Sequence, residues 1–251
     1  MSIEIYLISS FLVLVFSGLL AMAGLGAAFL FVPMFYYLGV PLAEATPTAL
    51  LLNVVSLLFA TINYWRGKLI NWRVSIPVLI AAVILSPVGA ILTAHLDKTI
   101  LLSLFAAFLV FAGSMMLFYR AKKREYVLSR GVEIAAGTGI GSVAGFLGGL
   151  LGVGGGNFIL PVLNWIGLDA KVAAGTTALV VVFSSLSGFL AHATISGLDP
   201  LFVGIMAVMA SVGSIIGSQL MKTRVSSNQL KKIIGVLLFV IAAKMIFDLL
   251  N

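Results

Sequence analysis

Two glycine clusters set inside long apolar runs constrain this chain more than any other feature. The first, Gly24 to Pro33, reads GLGAAFLFVP, and the second, Gly145 to Pro161, reads GFLGGLLGVGGGNFILP. Aligning Pro33 with Pro161 pairs Gly24 with Gly152, Gly26 with Gly154 and Gly39 with Gly167. Glycine interrupts a helix and bares its backbone. In lipid a bared backbone is tolerated only where protein or a watery cavity surrounds it. Paired breaks at corresponding places in two halves of a chain point to a transporter's binding site.

The runs themselves fix the solvent. Of the 251 residues, 61% are hydrophobic and 9% are charged, against about 25% charged in soluble domains. A water-soluble fold is excluded. A β-barrel would alternate apolar and polar residues in short strands, whereas these runs are continuous and about 20 residues long, as spanning helices require. The expected fold is therefore an all-α polytopic membrane protein. The net charge of +7 does not imply nucleic acid, because the basic residues lie between apolar runs, as in loops kept at the cytoplasmic face. With no cysteine, thiol catalysis and thiolate metal sites are ruled out. The start, Met1 to Tyr6, lacks a basic n-region, so the first run is expected to stay as a span.

Apolar segments are expected at 3–23, 27–38, 45–65, 73–94 and 98–119, and again at 131–151, 155–167, 171–195, 199–219 and 229–249. Segments 27–38 and 155–167 are too short to cross about 30 Å of hydrocarbon. They read as the short limbs of helix-break-helix hairpins. The repeat continues past them: Thr48-Ala49-Leu50 matches Thr177-Ala178-Leu179, and Ser56 matches Ser185. The chain divides into a repeat at 1–119, a basic linker at 120–130 and a second repeat at 131–251.

Placing that linker in the cytoplasm puts 13 of the 15 Lys and Arg residues inside, leaving Lys98 and Lys244 outside. Both termini then come out external. Each half changes sides an odd number of times, so the halves insert upside down relative to one another. Such an inverted repeat suits two gates around one shared site.

Candidate site residues follow from the breaks. Gly24, Gly26, Gly152, Gly154, Gly155, Gly156 and Asn157 stand where two short helices begin, and free N–H groups with the positive dipole end can face an anion there. Close helix packing is the alternative for any of these glycines, and it is the expectation for Gly137, Gly141, Gly145 and Gly149. Thr46, Thr48, Thr176 and Thr177 can cap the helices that follow or donate to a ligand. Asn53, Ser184 and Ser185 lie too far in to cap; they line a pathway or bond their own helix. His192 is either a proton relay or an interfacial polar group. No Lys or Arg lies deep in a span, so an anion would be held by dipoles, N–H groups and hydroxyls. Metal-ligand spacings, a nucleophile elbow and a phosphate loop are all missing, which argues against an enzyme and against any cofactor.

The duplicated Gly-x-Gly-Gly-Gly-Asn…Pro signature (Gly152–Pro161, degenerate at Gly24–Pro33), the Thr-Ala-Leu elements at 48–50 and 177–179 and the basic linker resemble the TauE/SafE sulfite exporter family of prokaryotic membrane proteins. The resemblance covers essentially the whole chain. It implies export of sulfite or an organosulfonate such as sulfoacetate across the cytoplasmic membrane, driven by an H⁺ or Na⁺ gradient. The first copy departs from the pattern, with Ala27 and Ala28 where the second has Gly155 and Gly156. Substrate contact is therefore expected chiefly at the second copy.

Overall fold

The computed structural model describes residues 3–21, 26–118, 130–193, 198–220 and 227–250. Gly24, linker residues 119–129, Lys222 and Arg224 lie outside the described residues. The described residues form ten helices: α1 (Ile3–Ala21), α2 (Ala28–Tyr37), α3 (Leu42–Arg66), α4 (Trp72–Thr93), α5 (Lys98–Phe118), α6 (Arg130–Leu151), α7 (Gly156–Trp165), α8 (Ala170–Ala193), α9 (Pro200–Leu220) and α10 (Ser227–Leu250). Six of them are long and apolar enough to cross a membrane. The chain is an all-α polytopic membrane protein.

Local chemistry sets the helix ends. Pro41, with φ −55°, precedes α3; proline needs no N–H partner at a helix start. Asp169 Oδ1 accepts from the Lys171 N–H at 2.9 Å as α8 begins, and Asn71 Oδ1 accepts from the Val74 N–H at 3.3 Å in α4. Because α3 begins at Leu42 and α8 at Ala170, Thr46, Thr48, Thr176 and Thr177 lie inside their helices. Asp169 therefore takes the capping role at α8, and α3 starts after Pro41 without a side-chain cap. The short helices α2 and α7 stop alike. Left-handed Gly39 and Gly167 let the next N–H turn back, Val40 to the Phe35 carbonyl at 2.9 Å and Leu168 to that of Leu163 at 3.1 Å.

The packing maps onto itself when the halves are exchanged. Helix α4 lies on α6 as α9 lies on α1; α2 lies on α3 as α7 lies on α8; α4 meets α8 as α9 meets α3. The pairs α3–α8 and α5–α10 are each their own counterpart. Gly137, Gly141, Gly145 and Gly149 form the α4-facing stripe of α6, as expected of small residues spaced by four. A Cβ on Gly145 would come within 2.5 Å of Ala82 Cα, and one on Gly141 or Gly149 would strike the Val78 or Ser86 carbonyl. At the matching α1–α9 contact, a Cβ on Gly213 would strike the Leu14 carbonyl.

Contacts at the two ends give each helix its direction. At one end Tyr6 donates to Asp199, Lys98 lies 5.1 Å from the Tyr36 ring centre, and Lys244 lies 4.6 Å from that of Tyr37. Ile5 also approaches Gly39 there, so α1 and α2 enter and leave at this end. At the other end Arg73 pairs with Glu133 at 3.0 Å, and Gly175 lies against Tyr64 and Leu69. Helices α6 and α7 form their hairpin from that side. The two hairpins thus dip in from opposite ends, an arrangement compatible with an inverted repeat. Ile76, Ile80, Ile84 and Val88 make an exposed stripe on α4, a face that lipid solvates. Trp65, Trp72 and Trp165 are exposed at helix ends, where indole anchors sit.

Candidate functional site at the paired breaks

Both breaks converge on one side chain, Asn53 of α3. Its Oδ1 accepts the Ala27 N–H at 2.9 Å, at the start of α2. Its Nδ2 donates to Ser185 Oγ of α8 at 3.0 Å. A backbone N–H can only donate, so the oxygen of the amide must face Ala27, and this fixes which way the amide lies. Asn53 and Ser185 are both fully buried.

The glycines make room for this crossing. Gly26 and its repeat partner Gly154 share a left-handed backbone, φ +74° and +73°. A Cβ on Gly26 would strike Asn53 Oδ1, and one on Gly154 would strike Asn53 Nδ2 and come within 2.5 Å of Ser185 Oγ. Ser184 donates to the Gly154 carbonyl at 3.3 Å, and Gly152 lies against Thr46. Gly26, Gly152, Gly154, Asn53, Ser184 and Ser185 therefore form one cluster drawn from both halves. Gly155, left-handed at φ +76°, precedes α7 with no side-chain cap. Gly156 and Asn157 are buried in the first turn of that helix.

No Lys, Arg, Asp or Glu is buried among the described residues. The polarity of this centre comes from helix starts, amides and hydroxyls. Thr48, Ser56 and Thr177 each keep a buried hydroxyl oxygen without a protein partner. Ser56 lies three residues after Asn53, on the same face of α3. An unpaired buried hydroxyl costs free energy unless a ligand or water completes it.

Two predicted residues lie elsewhere. The Thr176 hydroxyl accepts the Asn71 N–H at 3.0 Å in the α3–α4 connection, so it serves that turn and not the centre. His192 is buried, with Nε2 at 2.9 Å from the Gly149 carbonyl. A carbonyl only accepts, so Nε2 carries the proton. Thr93 Oγ1 donates to the neighbouring Leu150 carbonyl at 2.9 Å. His192 and Thr93 together grip the tip of the second hairpin. Ser86 donates to the Ser184 carbonyl at 2.8 Å and ties α4 to the same region. Sequence reading missed Ser86 and Thr93; their seven-residue spacing along one face of an apolar helix was the available signal.

Pro33, Tyr36, Thr46, Thr93, Phe105 and Leu151 line a small gap, and Thr46 also lies against Gly152.

Comparison with known proteins gives the chain a lineage. The family model described as sulfite exporter TauE/SafE matches residues 9–245. A probable membrane transporter protein of Methanocaldococcus jannaschii is 29% identical over 180 residues, 68% of this chain and 66% of that protein. The probable membrane transporter protein YunE of Bacillus subtilis is 24% identical over 270 residues, 95% of this chain and 98% of its own length. Sulfite exporter TauE/SafE family protein 1 of Arabidopsis thaliana is 35% identical over 80 residues, 32% of this chain and 18% of that protein. No solved structure matches the chain. Matched along nearly its whole length, the chain belongs to the TauE/SafE sulfite exporter family and is a membrane transporter of that family.

Proposed function

We propose that this chain is a secondary transporter that exports a small sulfur-containing anion, sulfite or an organosulfonate such as sulfoacetate, across the cytoplasmic membrane of a prokaryote. The observation that carries this reading is the meeting of two glycine breaks, one from each half, on the buried Asn53–Ser185 pair. A centre polar in N–H and hydroxyl groups but free of buried Lys and Arg suits an anion that must be released as readily as it is bound. A full ion pair would hold the cargo more tightly.

Hairpins dipping in from opposite ends support a mechanism of alternating access. Each can open toward its own side while the other closes on Asn53, so the centre meets one face of the membrane at a time. The gap lined by Tyr36 and Thr46 is the route to the outer side, with both termini external. Coupling to H⁺ or Na⁺ supplies the drive, and His192 at the hairpin tip is the residue placed to carry a proton.

Thermal stabilisation of the purified protein by sulfite, sulfate, thiosulfate, taurine, sulfoacetate and acetate at matched ionic strength tests the substrate class. A ligand that binds only the folded state raises stability by mass action. Selective stabilisation by sulfite or a sulfonate is the expected result. Equal stabilisation by every anion would remove the sulfur chemistry from the reading. Flux that does not saturate with sulfite would make the protein a channel.

A further inference from the structure

The two breaks differ in one respect that bears on selectivity. At the first, the Ala27 N–H that opens α2 is already occupied by Asn53 Oδ1 at 2.9 Å. The position equivalent to Asn53 in the second half, by the register that pairs Ser56 with Ser185, is Val182. Valine offers no oxygen, and Gly155 leaves the start of α7 without a side-chain cap. Neither α2 nor α7 has a side-chain cap, so the difference between the two starts is the Asn53 bond to the Ala27 N–H.

We propose that Asn53 is the selectivity element of the central site, a neutral surrogate that holds the place of an anion oxygen at the start of α2. An incoming oxyanion exchanges for the carboxamide: one of its oxygens takes the Ala27 N–H while Asn53 Nδ2 turns from Ser185 toward the ligand. The buried, unpartnered Ser56 hydroxyl, one turn along α3, supplies a further donor on the same face. The exchange trades a neutral acceptor for a charged one at a helix N-terminus, and that favours anions over neutral solutes. A group presenting two or more oxygens, as a sulfite or sulfonate head does, can engage the N–H and Ser56 together. This inference rests on the proposed function and names how that site chooses its cargo.

Two substitutions of nearly unchanged size separate this role from a structural one. Asn53→Asp keeps the shape and replaces the surrogate with a permanent anion. Asn53→Val copies the second half and removes the surrogate. Equilibrium binding of radiolabelled sulfite to the full chain in lipid nanodiscs, at pH 8, is the readout. Asn53→Asp should weaken binding by at least about tenfold through like-charge repulsion. Asn53→Val should tighten it several-fold, because the site no longer has to expel its own occupant. The opposite signs are the signature. A purely structural Asn53 would weaken binding in both variants or change neither, and either result overturns the proposal. Should Asn53→Val fail to yield a monodisperse protein, Asn53→Ser, too short to span from Ala27 to Ser185, takes its place with the same predicted sign. Wild-type protein that binds no sulfite would defeat the proposed function and this inference with it. Wild-type binding with Asn53→Asp unaffected would defeat the inference alone.

Discussion

The first glycine break is held by an amide side chain and the second by a hydroxyl. At the first, Ala27 and Ala28 continue into α2, and Asn53 reaches across from α3 to take the Ala27 N–H. At the second, Gly152, Gly154 and Gly155 all adopt left-handed backbone, and Ser184 of α8 donates to the Gly154 carbonyl. The same duplicated segment has therefore been specialised by few residues. The comparison teaches that a symmetric scaffold can hold an asymmetric site, because symmetry in such a fold lies in the packing and not in the chemistry of each break.

Breaking the second break should have the largest effect. Gly154→Val adds a branched Cβ where the backbone is left-handed and where Asn53 Nδ2 and Ser185 Oγ already stand. The expected outcome is loss of sulfite binding and flux, with membrane insertion retained, checked by binding and by size-exclusion profile. Gly26→Val makes the matching change at the first break, striking Asn53 Oδ1. It should reduce flux less than Gly154→Val, since it disturbs the surrogate and leaves the start of α7 intact. Equal loss in the two variants would erase the proposed difference between the breaks.

The hairpin packing gives the next prediction. Gly145→Leu forces a large side chain against the Ala82 backbone. Overpacking of this kind costs about 1–3 kcal/mol, and more where backbone meets backbone. A lower melting temperature in detergent is expected, and the α1–α9 counterpart Gly213→Leu should behave alike. His192→Ala removes the partner of the Gly149 carbonyl and should cost about 1–3 kcal/mol, read by the same melt. If His192 also carries the proton, flux driven by a pH gradient falls further than flux driven by sulfite alone.

The smallest effect belongs to the Tyr6–Asp199 pair at the rim. The Tyr6 hydroxyl donating to Asp199, with help from the Phe202 and Leu201 N–H groups, holds that carboxyl below its usual value near 3.8. A carboxylate whose folded pKa is depressed contributes stability above its unfolded pKa and loses it as pH falls through the folded value. Tyr6→Phe should therefore lower the melting temperature slightly at neutral pH and leave it unchanged in strong acid. Melts across that range provide the check.

Much of this was legible in the chain. Apolar runs and glycine spacing placed all ten helices, and the doubled cluster named the breaks, because length and repetition survive without tertiary information. Two features did not. The threonines of α3 and α8 read as caps because Pro41 and Asp169, the residues that start those helices, stand outside the apolar runs. The bridge from Ala27 through Asn53 to Ser185 bonds residues 26 and 132 positions apart, and only the crossing of α3 over α8 brings them together. The burial of His192 against the Gly149 carbonyl was likewise out of reach, because it depends on where the hairpin tip packs.

The most direct test of the central claim is sulfite counterflow in proteoliposomes, comparing the wild-type chain with Gly154→Val at equal incorporation. Saturable exchange by the wild type and none by the variant is the predicted result. Saturable exchange that survives Gly154→Val would contradict it and move the site away from the paired breaks.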